Sequence, residues 1–276
     1  MLSGLLEPLQ NDFIIRALFT GIFVGTACAN LGVFLVLRRY ALLGHGLTHV
    51  AFGGVAVGML FSAQPFWSAL VITALSSLGM LKLQEKARIH PDVAIGIVSA
   101  VGMAVGVVIA SVAGGFTVDL MSYLFGSILT ISPEEFWISL FISVLIIGFI
   151  AAFYHDLFAL TFDEDSALAI GIKVKRFNVF FALISAVTIV IGMRVVGLLL
   201  ISALIILPAV TSLQLSRSFR GSLLIATASV VVSVVAGIMI SYFYDLPSGG
   251  TIVLLNFGLF LAASLINRFF LKHEGN

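Results

Sequence analysis

Charge is scarce in this chain. Lys, Arg, Asp and Glu make up 10% of its 276 residues, against about 25% in an ordinary soluble domain. Cysteine is scarcer still. Cys28 stands alone, which excludes an intramolecular disulfide and a Cys-x-x-Cys metal site, and its apolar surroundings suit a buried, inert thiol. The dipeptide Gly-Lys never occurs. Without it there is no Gly-x-x-x-x-Gly-Lys-Ser/Thr phosphate loop, so any ATP that powers this chain is hydrolysed on another polypeptide. The N-terminal MLSGLLEPLQND has no basic region and places Glu7 and Asp12 before the first apolar run, a pattern that does not fit a cleaved signal peptide. Tandem repeats, low-complexity linkers and domain boundaries are also missing, so residues 1–276 read as one transmembrane domain.

What is present is apolar. Hydrophobic residues account for 61% of the chain, and the mean hydropathy is +1.20. No soluble fold of this size could bury that much apolar surface, so the bilayer must solvate most of it. The formal net charge of +1 gives no footprint for nucleic acid. Nine apolar runs stand out, at about 13–37, 46–63, 66–81, 91–113, 134–153, 178–193, 195–215, 221–243 and 251–270. A crossing helix needs roughly 20 residues, so the expected fold is an all-α, multi-pass bundle of eight or nine transmembrane helices with membrane lipid as its surroundings. The 46–63 and 178–193 runs are short enough to be tilted, broken or partly re-entrant.

Lys and Arg set the orientation. The loops after the first, third, fifth and seventh runs, with the C-terminal tail, hold twelve of the 14 basic residues, among them Arg38, Lys82, Lys175 and Arg217; the other side holds Arg16 and Arg194. The bias places the N-terminus outside and the C-terminus in the cytoplasm, in the cell or inner membrane. Residues 114–133 are too short to cross twice and read as a short helix at the outer surface or dipping into it. Residues 154–177 form the longest polar loop, on the inner side. There Asp163-Glu164-Asp165 precedes an Ala/Leu-rich turn ending at Gly171, the pattern of a short capped helix. Pro91-Asp92 reads as another helix start, with Asp92 as the cap.

The sharpest chemical feature is Gly44-His45-Gly46-Leu47-Thr48-His49. Residues four apart share a helix face, so His45 and His49 can offer two imidazoles to one ion of zinc, copper, nickel or iron. They can equally be interfacial histidines bonded to backbone or water. An intramembrane metalloprotease would need Glu directly after the first His, and position 46 is Gly. A carrier driven by an ion gradient would need paired acids at mid-membrane, and none are evident. Gly53, Gly54 and Gly58, with Ala51 and Ala56, put small residues along the second span, where they let helices approach closely.

Several segments, in order, resemble the integral membrane permeases of bacterial zinc, manganese and iron ABC importers. Leu43–His49 followed by Phe52-Gly53-Gly54 is similar to the family's Gly-Asp-x-x-Ser-His stretch. Pro91–Val98 resembles its acid-Ala-x-Ile-Gly-Ile segment, and Tyr123–Leu129 its Leu-Phe-Gly-x-Ile/Leu-Leu segment. Val196–Leu200 leading to Leu207-Pro208-Ala209, and Pro247–Val253, resemble two more. The likeness runs from about residue 12 to residue 270. It implies a fold similar to that of the vitamin B12 importer permeases, a homodimer, a pair of cytoplasmic ATP-binding subunits and an extracytoplasmic metal-binding protein. The chain itself would then be no enzyme, and its cargo a divalent metal rather than a permanently held cofactor. His49 matches the family's His, whereas His45 stands where many members carry Asp. Imidazole in place of carboxylate tilts the choice from manganese toward zinc. Asp165-Ser166-Ala167-Leu168-Ala169-Ile170-Gly171 resembles the acid-x-Ala-x-Ala-x-Gly coupling segment, which implies that Asp165, Ala167 and Gly171 belong to the surface that meets the ATPase. The same architecture with a metal chelate or cobalamin as cargo is the alternative.

Overall fold

In a membrane, backbone polar groups must find partners inside the chain, and a helix satisfies almost all of them locally. The computed structural model describes residues 11–113, 123–126, 128, 131–198 and 200–271, and every regular element among them is helical. In order they are α1 (Asp12–Leu37), α2 (Ala41–Leu60), α3 (Pro65–Ala87), α4 (Pro91–Val112), α5 (Pro133–Ala152), α6 (Tyr154–Phe162), α7 (Glu164–Ala169), α8 (Val174–Val196), α9 (Ile201–Leu215), α10 (Phe219–Tyr244) and α11 (Ser248–Ile266), followed by a π-helical turn at Asn267–Leu271. Eight of these are long and apolar enough to cross a bilayer.

Local chemistry fixes where several begin. Pro65, Pro91 and Pro133 occupy the first turns of α3, α4 and α5, where the missing N–H removes no helix bond. Ser132 adds a capping box: its hydroxyl accepts from the Glu135 amide at 3.3 Å, and its own amide donates to the Glu135 carboxylate at 3.0 Å. Asp92 does not cap α4 as the sequence suggests. His90 takes the cap position, without a side-chain bond, and Asp92 lies inside the first turn, where its charge complements the helix dipole instead.

The bundle is centred on α1, α2, α8 and α9. Ile14, Leu31, Phe34, Leu47, Ile189 and Leu204 are completely buried there. The flanking helices α3, α4, α5, α10 and α11 turn bare apolar side chains outward, including Leu75, Val108, Phe141, Leu224 and Leu254. Only lipid or another apolar surface can cover such faces. The small residues of α2 are used within the chain. A Cβ on Gly53 would lie 2.8 Å from the carbonyl oxygen of Gly102 in α4, and one on Gly54 2.6 Å from Ala69 Cα in α3. The glycine stripe therefore clamps α2 between α3 and α4.

The run at 195–215 is not one continuous span. The chain breaks at Gly197, and α9 covers only 15 residues, about 22 Å at 1.5 Å per residue and short of a hydrocarbon core of about 30 Å. The cause is a second irregular segment. Gly126 (φ +69°) and Gly197 (φ +91°) meet backbone to backbone, and the Leu198 amide donates to the Tyr123 carbonyl at 3.1 Å. Side chains at either glycine would collide with the other strand. Ile128 is fully buried and reaches toward Gly21 of α1, about 13 Å along that helix from Asp12. The described part of the 114–133 segment thus dips into the bundle, its backbone covered by protein. Residues 114–122, Asp119 among them, lie outside the described residues.

Candidate metal and coupling sites

Helix α2 starts at a tight corner. The amides of Arg38, Arg39 and Tyr40 donate to the carbonyls of Phe34, Val36 and Leu35, and Arg39 sits in the left-handed region at φ +60°. From there Gly44 faces Ile205 of α9, and Gly46 packs on Ile95 of α4. His45 lies angularly between them, so the His45/His49 face opens between α4 and α9. Leu43, Leu47 and Thr48 are buried behind it, and the Thr48 hydroxyl donates to the His45 carbonyl at 2.6 Å.

The two imidazoles converge. Their Nε2 atoms are 3.2 Å apart, and the rings stand nearly perpendicular, at 85°, with centroids 4.6 Å apart. One nitrogen must donate to the other when no cation is present. A tetrahedral ion with two bonds of about 2.05 Å would hold its nitrogens about 3.3 Å apart, close to the observed spacing. His45 is exposed and His49 half-buried. Among the described residues no group of three or more His, Cys, Asp and Glu side chains is placed to hold a metal. One copy therefore offers two imidazole ligands and leaves the rest of the coordination sphere open. Gly46, packed against Ile95, leaves no room for a general base at that position.

The polar loop forms α6, α7 and a turn. The Asp163 carboxylate accepts from the amides of Asp165 and Ser166 at 3.0 and 3.1 Å, and from the Ser166 hydroxyl. The bonds from Ser166, side chain first, hold the Asp163 carboxyl below the usual carboxylate range. Asp165 is exposed in the first turn of α7. Ala167 points inward and is 1% exposed, whereas Leu168 and Ile170 stand out at 63% and 73%. Gly171 closes the turn at φ +90°, and its amide donates to the Leu168 carbonyl at 3.0 Å. The exposed apolar pair is what sequence reasoning missed: six helical residues are too few for a period to show which face is free.

Basic residues that the charge pattern assigns to one side do meet at one end of the bundle. Arg38 pairs with Glu164, Lys175 lies 3.6 Å from Glu85, and Arg220 sits over the Tyr154 ring at 5.4 Å. A cleft of about 530 Å³ at this end is lined by Arg38, Arg39, His90, Asp92, Asp163 and Glu164, among others.

Comparison with known proteins agrees with this architecture. The model of the ABC 3 transport family matches residues 10–267. The manganese transport system membrane protein MntC of Listeria monocytogenes is 31% identical over 264 residues, covering 96% of this chain and 93% of that protein. The high-affinity zinc uptake system membrane protein ZnuB of Haemophilus influenzae is 31% identical over 251 residues, covering 91% and 96%. Among solved structures, a chain of PsaBC from Streptococcus pneumoniae, in complex with Fab, superposes with a TM-score of 0.87 at 29% identity, covering 100% of both chains. An inward-facing metal-chelate-type ABC transporter shares the fold, with a TM-score of 0.74 at 17% identity, over 91% of this chain and 85% of that one.

Proposed function

The chain belongs to the ABC 3 transport family, and we propose that it is the membrane permease through which an ATP-driven importer passes a divalent transition metal into the cytoplasm, zinc in preference to manganese or iron. Relatives named for manganese and for zinc support the cargo class. The observation that carries the choice of zinc is the pair of Nε2 atoms 3.2 Å apart. That gap fits one bare ion and excludes a bulky chelate between the rings. Two copies facing each other would supply four imidazoles, a tetrahedral nitrogen set that suits zinc, while manganese favours carboxylate and carbonyl oxygen. When the two copies part, each keeps only two imidazoles and holds the ion loosely, and that loosening is what lets it pass on.

The permease performs no covalent step in this reading. ATP is hydrolysed on separate subunits that dock on the C-terminal end of α7, at the exposed Leu168 and Ile170, and an extracytoplasmic protein delivers the metal. The charge asymmetry supports an external N-terminus and a cytoplasmic C-terminus. Cysteines replacing Lys82, Lys175 or Arg217 should stay unlabelled by an impermeant thiol reagent in intact cells and react once the cells are opened. Cys28 is buried and adds no background. Labelling from outside at any of the three would overturn the orientation. The function itself is tested in proteoliposomes that hold the permease, its ATPase and its binding protein. ATP should drive accumulation of radioactive zinc, with manganese slower at equal concentration; a preference for manganese would reverse the cargo assignment.

A further inference from the structure

Most basic residues at this end of the molecule stay in water, as charges that only mark the cytoplasmic side should. Lys82, Lys175 and Arg217 are all exposed. Arg38 departs from that pattern: its side chain is 7% exposed, while that of its partner Glu164 is 50% exposed. One nitrogen, Nη2, donates both to Glu164 Oε1 at 2.5 Å and to Asn178 Oδ1 at 2.7 Å. The guanidinium carbon lies 5.3 Å from the Phe181 ring centroid and 5.6 Å from that of Tyr40. Burying a charge is costly unless it is fully partnered, and Arg38 draws its partners from three elements: α7, α8 and the residue that opens α2.

The position matters as much as the contacts. Arg38 is two residues from Tyr40, and no slack separates them: all three amides of the corner are bonded to α1 carbonyls. Tyr40 in turn accepts from the Leu43 amide at 2.9 Å, which puts His45 in the next half-turn of α2. A continuous path of bonded groups therefore runs from α7 through Glu164 and Arg38 to the helix that carries the two histidines.

We infer that Arg38 is a positioning residue, a strut that passes displacement of α7 to the start of α2 and so to His45 and His49. The inference rests on the proposal that α7 meets an ATP-hydrolysing subunit. Because one nitrogen serves both acceptors, Arg38→Lys keeps the link, whereas Arg38→Met and Glu164→Ala remove it.

The test is the amount of zinc moved per ATP hydrolysed in proteoliposomes containing the whole transporter. Arg38→Met and Glu164→Ala should each lower that ratio about fivefold or more, with ATP hydrolysis and the amount of assembled complex within about twofold of the parent. The double variant should fall no further than the worse single one, since both remove the same link, and Arg38→Lys should recover at least half of the parent ratio. If zinc per ATP is unchanged, or if hydrolysis and assembly fall in step with transport, the strut is wrong. Should Arg38→Met fail to assemble, Glu164→Ala decides alone, because Asp163 still caps α7. A parent that moves no zinc sinks the transport reading instead, and hydrogen exchange on the purified permease then judges the strut. Glu164→Ala should speed amide exchange at residues 41–45 about fivefold or more; unchanged exchange there overturns the inference.

Discussion

Replacing His45 and His49 together by alanine should lower ATP-driven zinc uptake at least about 100-fold, because loss of even an outer-shell partner costs 10–100-fold in metal sites and this change removes both ligands a copy offers. Neither side chain supports the core. His45 is exposed and His49 half-buried, and the face of α2 opposite them, with Leu43, Leu47 and Gly54, carries the packing. The double variant should therefore reach the membrane and assemble with its partners at parental levels. Either single substitution leaves one imidazole per copy and should cost about 10-fold or more. His45→Asp should keep uptake and move the preference toward manganese, since a carboxylate is the harder ligand. Radiometal uptake with zinc and manganese in the same vesicles checks all four variants.

The second large effect is expected at Leu168 and Ile170. If the ATPase docks here as proposed, their exposure in a short, well-capped segment makes them the apolar tip of that surface. Charging both, with Leu168→Asp and Ile170→Asp, should weaken association with the ATPase about 30-fold, in the range of interface hot spots worth 2 kcal/mol or more. Titration of the ATPase into permease held in detergent measures this directly, and parental affinity would remove the segment from the interface. Substitutions at Ala167 and Gly171 are poorer probes. A charge at Ala167 would be forced into a buried position, and proline at Gly171 cannot adopt φ +90°. Both would disrupt the turn itself, whatever it touches.

The crossing helices were legible because the bilayer makes hydropathy decisive: all nine apolar runs contain a helix, and prolines at 65, 91 and 133 mark three starts. The break at Gly197 was not legible. Its cause is Gly126, about 70 residues earlier in the chain, and no local pattern announces two glycine backbones in contact. The small-residue character of α2 could be read, but its partners could not: Gly53 and Gly54 each meet a different neighbour. Spacing put His45 and His49 on one face. Their convergence to 3.2 Å and their opening between α4 and α9 depend on how Gly44 and Gly46 pack. Arg38 counted in the sequence only as one cytoplasmic charge. Its burial depends on Asn178 and Phe181, some 140 positions away, and such a distance hides it from any window along the chain.

Zinc that crosses this protein on the paired imidazoles must be bound by them. X-ray absorption at the zinc edge, on the purified permease loaded with one zinc per two chains, tests it most directly. The first shell should consist of imidazole nitrogens at about 2.0 Å, four per zinc, and should be lost with the bound zinc in the His45→Ala, His49→Ala double variant. An unchanged shell and unchanged zinc content in that variant would contradict it.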